Sequence, residues 1–426
     1  MSHRTASART AAPTAGTRRE RRRPRIGLAL AGGGPLGAIW EIGALCALEE
    51  AIPGLDFNAL DGYVGVSAGS FVAAGLANGL TPRQLATSFI ENAGPKRDIV
   101  RPSLFIRPAL DEFAGRLARL PGLVMQAAWV GATRRRPLLA ALERLGRALP
   151  AGFFSNAPLQ AELRRVFAAP GRSDDFRVLH RASGRRLVLV ATDLDSGRAA
   201  PFGLPGWDHV PISQAVAASA ALPGLFPPVP INGRWYVDGA LKKTLHARVL
   251  LDQGIDLLLC LNPLVPFDAG HATPHRVAAG GRIPRLVEGG LPVVLSQTFR
   301  SLIHSRLELG LKGYETSHPG TDILLLEPDQ RDPEIFLANV FGYAQRRSLA
   351  EHAYRHTRAD LRSRRSSVAA LLSRHGLALD HAVLDDPHRT LLARRRAPVQ
   401  SGATHALTRL DEVLRDLERT LALRGG

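Results

Sequence analysis

The stretch Gly62-Tyr63-Val64-Gly65-Val66-Ser67-Ala68-Gly69 decides the architecture. Gly62–Val66 is a short apolar run of strand length, and Ala68–Gly79 continues as a helix of small residues. Between them, Gly65-Val66-Ser67-Ala68-Gly69 places a serine between two glycines at a strand end, the pattern of a nucleophile elbow. At such an elbow the chain turns so sharply that side chains two residues to either side would collide, and the turn leaves the hydroxyl exposed. Ser67 is therefore the candidate nucleophile, and the question becomes what activates it.

Upstream, Ile26–Ala31 reads as another buried strand, followed by a helical pattern over Pro35–Ala51 with Ile39, Ile42, Leu45 and Leu48 on one face. Downstream, Thr81, Pro82 and Gln84 form a capping box that starts a further helix. Buried strands recur at Arg186–Asp193, Ile255–Asn262 and Ile323–Glu327. Strands that are apolar throughout and separated by helices predict an α/β fold: a three-layer α/β/α arrangement with a mainly parallel central sheet.

Three regions depart from that rhythm. Residues 1–25 hold eight Arg against one Glu with no hydrophobic periodicity, which predicts a disordered basic arm before a catalytic domain over 26–360. Residues 95–150 hold eleven Lys or Arg against four acids, together with the apolar stretch Leu123–Val130, and read as a helical insertion. Residues 361–426 read as a helical C-terminal extension ending in Leu407, Leu410, Leu414, Leu417 and Leu421. That spacing suits weak self-association through a coiled-coil seam, or a helix docked on its own domain; its length favours the second.

The 426 residues carry a formal charge of +17 with 45% apolar and 22% charged residues, an ordinary globular composition apart from the charge. No aromatic-interleaved basic face accompanies the arm, so no nucleic-acid partner is expected. The first apolar run is too short for a secretory signal, and no window reaches the ~18 apolar residues that span a bilayer. The Arg-, Ser- and Thr-rich arm also fits an organelle transit peptide. Cys46 and Cys260 sit in apolar contexts and read as buried free thiols of a reducing compartment, which with the rest predicts a cytoplasmic protein.

The chemistry begins at Gly32-Gly33-Gly34, between the first strand and its helix, where amides and helix dipole favour negative charge. Gly32-x-Gly34-x-x-Gly37 also satisfies a dinucleotide fingerprint, so a nucleotide-binding oxidoreductase is one reading. That reading wants an acid at the end of the second strand, where Ser67 stands instead. A phosphate P-loop lacks its Lys-Ser/Thr pair. An oxyanion hole serving Ser67 uses both loops. For the base, histidines such as His246 or His304 stay open in a Ser-His-Asp esterase. Asp238 is the alternative, delivered by the aromatic run Trp235-Tyr236-Val237 to a glycine turn, Gly239-Ala240.

Four blocks together resemble the patatin-like phospholipase family. They are Gly32-Gly33-Gly34-Pro35-Leu36-Gly37, Gly65-Val66-Ser67-Ala68-Gly69, Ala218-Ser219-Ala220-Ala221-Leu222-Pro223-Gly224-Leu225-Phe226-Pro227-Pro228, and Asp238-Gly239-Ala240. They stand in family order over residues 26 to about 262, and Thr321–Pro328 is similar as well. The resemblance implies a Ser–Asp dyad without histidine: Ser67 as nucleophile, Asp238 as base, and Gly32, Gly33 and Gly34 as oxyanion amides. Gly37, Gly65, Gly69 and Gly239 support these turns. It implies a substrate among acyl esters of phospholipids, lysophospholipids or related lipids, with no cofactor. Since no carboxylate or histidine cluster surrounds the elbow in the sequence, no metal is expected. Leu36 stands where the family commonly has Arg or Lys, which puts head-group preference in question. The basic insertion with Leu123–Val130 suits either a lid or peripheral contact with an anionic membrane.

Overall fold

The computed structural model describes residues 23–95, 98–100, 107–109, 121–122, 124–125, 150–271, 285–336 and 345–392. Residues 1–22 of the basic arm, most of the 95–150 insertion and the leucine row at 407–421 lie outside the described residues. The chain divides into two compact units, Met1–Arg389 and Thr390–Gly426. In the second, the Thr390 hydroxyl donates to the Leu392 carbonyl at 3.2 Å. The sheet and the candidate site belong to the first.

In chain order the elements are β1 (Ile26–Leu30), α1 (Gly34–Ala51), β2 (Gly62–Val66), α2 (Ala68–Ala77), α3 (Pro82–Leu85, continued by a π-helical turn Ala86–Ile90), α4 (Ala157–Phe167), α5 (Phe176–Ser183), β3 (Arg186–Asp193) and β4 (Ala199–Phe202). They continue with α6 (Ile212–Ser219), β5 (Val229–Ile231), β6 (Arg234–Asp238), α7 (Arg248–Leu251), β7 (Leu257–Leu261), α8 (Gly290–Ser317), β8 (Asp322–Leu326), α9 (Pro333–Phe336), α10 (Arg346–Ser363), α11 (Arg365–Arg374) and α12 (His381–Asp385). The capping box at the start of α3 is formed: Thr81 Oγ1 accepts Gln84 N–H at 3.1 Å, and Gln84 Oε1 accepts Thr81 N–H at 3.0 Å.

The strands form one sheet in the order β5-β6-β3-β2-β1-β7-β8, with β4 also on β3. β3, β2, β1, β7 and β8 pair in parallel, whereas β4 and β6 join β3, and β5 joins β6, antiparallel. The five apolar runs anticipated from sequence supply the parallel part. The added strands β4 and β5 are short and carry Pro201 and Pro230, which lack an N–H, so they lie at sheet margins and leave little periodic signal.

Both faces of the sheet are covered, which is why its strands are apolar throughout. Ala29, Val64, Val66, Val188, Val190, Leu258 and Cys260 share one face with Leu245, Leu250 and Leu251. On the opposite face α2 packs on β1 and β2, and α1 lies between α2 and α10. Gly43 of α1 meets α10 so closely that a Cβ there would lie 2.5 Å from the Ala350 carbonyl oxygen. The result is the three-layer α/β/α fold predicted above. Among the described residues, no helix is long and apolar enough to cross a membrane.

Candidate active site

Strand register brings the site together. β3 residues 189 and 190 pair with both β2 and β4, so those strands flank β3 on opposite sides; residues 191 and 192 pair with both β4 and β6. β2 and β6 therefore lie on the same edge of β3, meeting end to end. Val66 pairs with Val190 and Asp238 with the next residue, Ala191. Ser67 leaves β2 at that joint just where Asp238 ends β6.

Ser67 holds φ 53° and ψ −121°, a conformation few L-residues adopt. Close packing on both sides enforces it. A Cβ on Gly65 would lie 2.5 Å from the Gly69 carbonyl oxygen, and one on Gly69 would lie 2.5 Å from the carbonyl oxygens of Leu30 and Ala31. The amide of Gly69 instead donates to Ala31 O at 3.0 Å, tying the elbow to the end of β1. The hydroxyl of Ser219, at the end of α6, accepts the Ser67 N–H at 2.8 Å.

The Ser67 side chain lies close enough to the Asp238 carboxyl to favour its ionised form, and Asp238 Oδ1 accepts the Ala240 N–H at 2.8 Å. Ser67 is 6% exposed and Asp238 only 2%. Burial pushes the Asp238 carboxyl from its ordinary 3.8 up to about 6, while the nearby Ser67 side chain and the Ala240 N–H oppose that rise. A carboxylate lifted this far is a stronger base yet still ionised at neutral pH.

The glycine loop flanks the pair. A Cβ on Gly32 would sit 3.1 Å from Ser67 Cβ and 3.3 Å from Ala240 Cβ. Gly33 (φ 154°) caps α1 without a side chain, and Gly34 (φ 60°) opens it. First-turn amides of a helix have no intrahelical acceptor, and this helix start lies next to Ser67 in the chain's fold. Gly37 fits against Pro263 and bonds back to the Gly33 carbonyl at 3.0 Å. Leu36 is buried and adds no charge to this end of the helix.

The histidines are engaged elsewhere. His246 Nε2 lies 3.4 Å from the Gly239 carbonyl oxygen, and burial pushes its imidazole down to about 4, leaving it neutral. His304 lies near Glu308, Glu327 and Gln330. Among the described residues neither bonds Ser67 or Asp238. No three His, Cys, Asp or Glu side chains of the described residues gather as metal ligands. Cys46 and Cys260 are buried and unpaired with each other, with both thiols pushed up by burial.

Ser219 is the residue whose part sequence reasoning did not assign. It stood inside the small-residue block before the proline loop, and a serine ending an otherwise Ala-rich helix is the only local signal of its use.

The family model of patatin-like phospholipases matches residues 28–251, more than half of the chain. Among solved structures, VipD from Legionella pneumophila is 16% identical over 78% of this chain and 67% of its own, with a TM-score of 0.31. The type III effector protein ExoU is 19% identical over 80% of this chain and 53% of its own, also with a TM-score of 0.31. Full-length ExoU from Pseudomonas aeruginosa, in complex with SpcU, is 20% identical over 68% of this chain and 53% of that one, with a TM-score of 0.26. The chain thus spans about two thirds of VipD and about half of ExoU.

Proposed function

The chain belongs to the patatin-like phospholipase family, a family of lipid-ester hydrolases, and from that premise we propose that it cleaves acyl esters of phospholipids, lysophospholipids or related lipids through a Ser67–Asp238 dyad. The observation that carries this reading is the strand register that brings the buried Asp238 carboxyl beside the strained Ser67 elbow.

In the acylation step, Ser67 Oγ attacks the ester carbonyl carbon as Asp238 takes the hydroxyl proton. The carbonyl oxygen becomes an oxyanion beside the amides of Gly32, Gly33 and Gly34, where one such donor is worth about 10²–10³ in rate. Collapse breaks the acyl C–O bond, and the proton on Asp238 passes to the departing alcohol oxygen. Deacylation repeats the sequence with water: Asp238 accepts its proton, hydroxide adds to the acyl carbon, and Ser67 leaves reprotonated with release of the fatty acid.

Replacing the nucleophile tests this directly. Ser67→Ala is expected to abolish hydrolysis of a long-chain acyl ester while melting near wild type. Full activity in that variant would end the dyad reading.

A further inference from the structure

Helix α8 buries one side and leaves the other open. Inward, Gln297 brackets Phe267 through bonds of 3.1 and 2.9 Å to its N–H and carbonyl, Arg300 donates to Val265 O at 3.2 Å, and Leu307 enters the core. Outward stand Leu291 (70% exposed), Val294, Leu295, Phe299, Leu302 and Leu309 (69%). Their spacing is that of a single helical face, about 27 Å long from Leu291 to Leu309 at the ordinary rise per residue. Two polar members turn their hydroxyls back onto the helix: Thr298 Oγ1 donates to Val294 O at 2.8 Å and Ser301 Oγ to Gln297 O at 3.0 Å.

Toward one end of this row stand two exposed cations, Arg306 and Lys312, with the exposed acids Glu308 and Glu315 of the same helix to one side of it. Arg306 donates to the Leu241 carbonyl at 3.1 Å, which sets it beside Lys242 and Lys243, both exposed. None of these four cations joins a carboxylate among the described residues. Leu241 lies three residues beyond Asp238, so the basic end of the row adjoins the turn that carries the candidate base.

We propose that this outward face of α8 docks the protein on an anionic phospholipid surface, with Leu291, Leu295, Phe299 and Leu302 entering the acyl boundary and Lys242, Lys243 and Arg306 meeting the head-group phosphates. An apolar stripe followed by cations matches the order in which an anionic leaflet presents tails and charge. A second copy of the chain fits less well. An antiparallel twofold contact would press the basic end of one helix on the apolar end of the other, and a parallel one would set like charges together. The inference rests on the lipid-hydrolase reading for its purpose, because docking here would deliver lipid next to Asp238.

The test uses the full chain carrying Ser67→Ala, so that vesicles are not consumed. It should co-sediment with vesicles containing phosphatidylglycerol and more weakly with pure phosphatidylcholine. Phe299→Glu with Leu302→Glu should lower partitioning roughly tenfold or more on both. Lys242→Gln with Lys243→Gln should lower it roughly fivefold per lysine on anionic vesicles only, with a flatter salt dependence. In the Ser67 background, Phe299→Glu with Leu302→Glu should leave cleavage of a soluble short-chain ester and the thermal melt unchanged; Leu291→Ser with Leu295→Ser offers a milder change with the same expectation. Unchanged vesicle binding in the acidic pair, or a dimer that this pair dissociates, overturns the proposal. Because vesicle binding needs no turnover, it can fail while ester hydrolysis persists, and the reverse.

Discussion

The Ser219 hydroxyl accepts the Ser67 N–H at 2.8 Å and donates to the Val190 carbonyl at 2.6 Å, so it pins the strained elbow residue to the strand that pairs with both β2 and β6. A conformation of this kind costs on the order of 1–3 kcal/mol and survives only where its surroundings hold it. Ser219→Ala removes the acceptor and leaves a buried N–H unpaired, a loss of about 1–3 kcal/mol. The expected outcome is a fall in kcat of roughly tenfold or more with KM little changed, because hydroxyl placement suffers and substrate contacts do not. The pH midpoint, set by Asp238, should stay where it was. A lowered melting temperature with intact kcat would reduce Ser219 to a packing residue.

Asp238 should set the acid limb of the reaction. With its carboxyl pushed up to about 6, kcat/KM is expected to rise with pH through about 6 as the base ionises. The same shift has a consequence for stability. The folded value lies above the unfolded one, so the contribution is fully present below about 3.8 and is lost as pH climbs to about 6, on the order of 3 kcal/mol in all. Asp238→Asn should therefore be inactive yet at least as stable as the native chain at pH 7 and above. Paired pH–rate profiles and thermal melts check both halves; a profile flat between pH 5 and 7 would contradict the assignment.

The sequence made the parallel strands and the elbow legible because each depends on local pattern. Gly62–Val66 is uniformly apolar, and Gly65 and Gly69 are forced by contacts within a few residues or with the adjacent β1. The antiparallel margin was less visible: β4 and β5 are short, contain proline, and owe their strand state to β3 and β6 rather than to their own composition. Asp238 was recognisable as a turn aspartate, but its meeting with Ser67 follows from register, Val66 on Val190 and Asp238 on Ala191, which no single segment encodes. The outward face of α8 left no signal in the sequence because polar Gln297, Arg300 and His304 face inward, so the apolar residues do not mark the buried side.

Glu41 offers a separate test on the far side of the glycine loop. It lies fully buried in α1, and neither carboxylate oxygen has a hydrogen-bond partner among the described residues. Burial drives its carboxyl well above the ordinary 4.5; the nearby Ala31 N–H, already given to Leu261 O at 3.0 Å, opposes this only weakly. A raised folded value means stability is fully present below about 4.5 and is lost as pH rises toward that value. Glu41→Gln keeps the shape and abolishes the ionisation. Its melting temperature should match the native one near pH 4 and exceed it by a margin that widens as pH rises above that. A margin independent of pH would show that Glu41 is not held protonated.

Two glycine substitutions should act in opposite directions. At Gly69 an added methyl would meet the Leu30 and Ala31 carbonyl oxygens at 2.5 Å, and both belong to backbone that cannot yield without moving β1 from α2. Gly69→Ala should therefore cost about 3 kcal/mol or more, in line with overpacking, and should erase activity along with the elbow. Gly310 lies in the middle of α8 with nothing within 4 Å of the position its Cβ would take. There Gly310→Ala restricts the unfolded chain and suits the helix, so a gain of about 0.5–1 kcal/mol is expected with hydrolysis unchanged. Chemical denaturation of the two variants measures both effects. A stable, active Gly69→Ala would mean that the elbow tolerates a shift of α2, and the strained geometry at Ser67 could not then be attributed to close packing against β1.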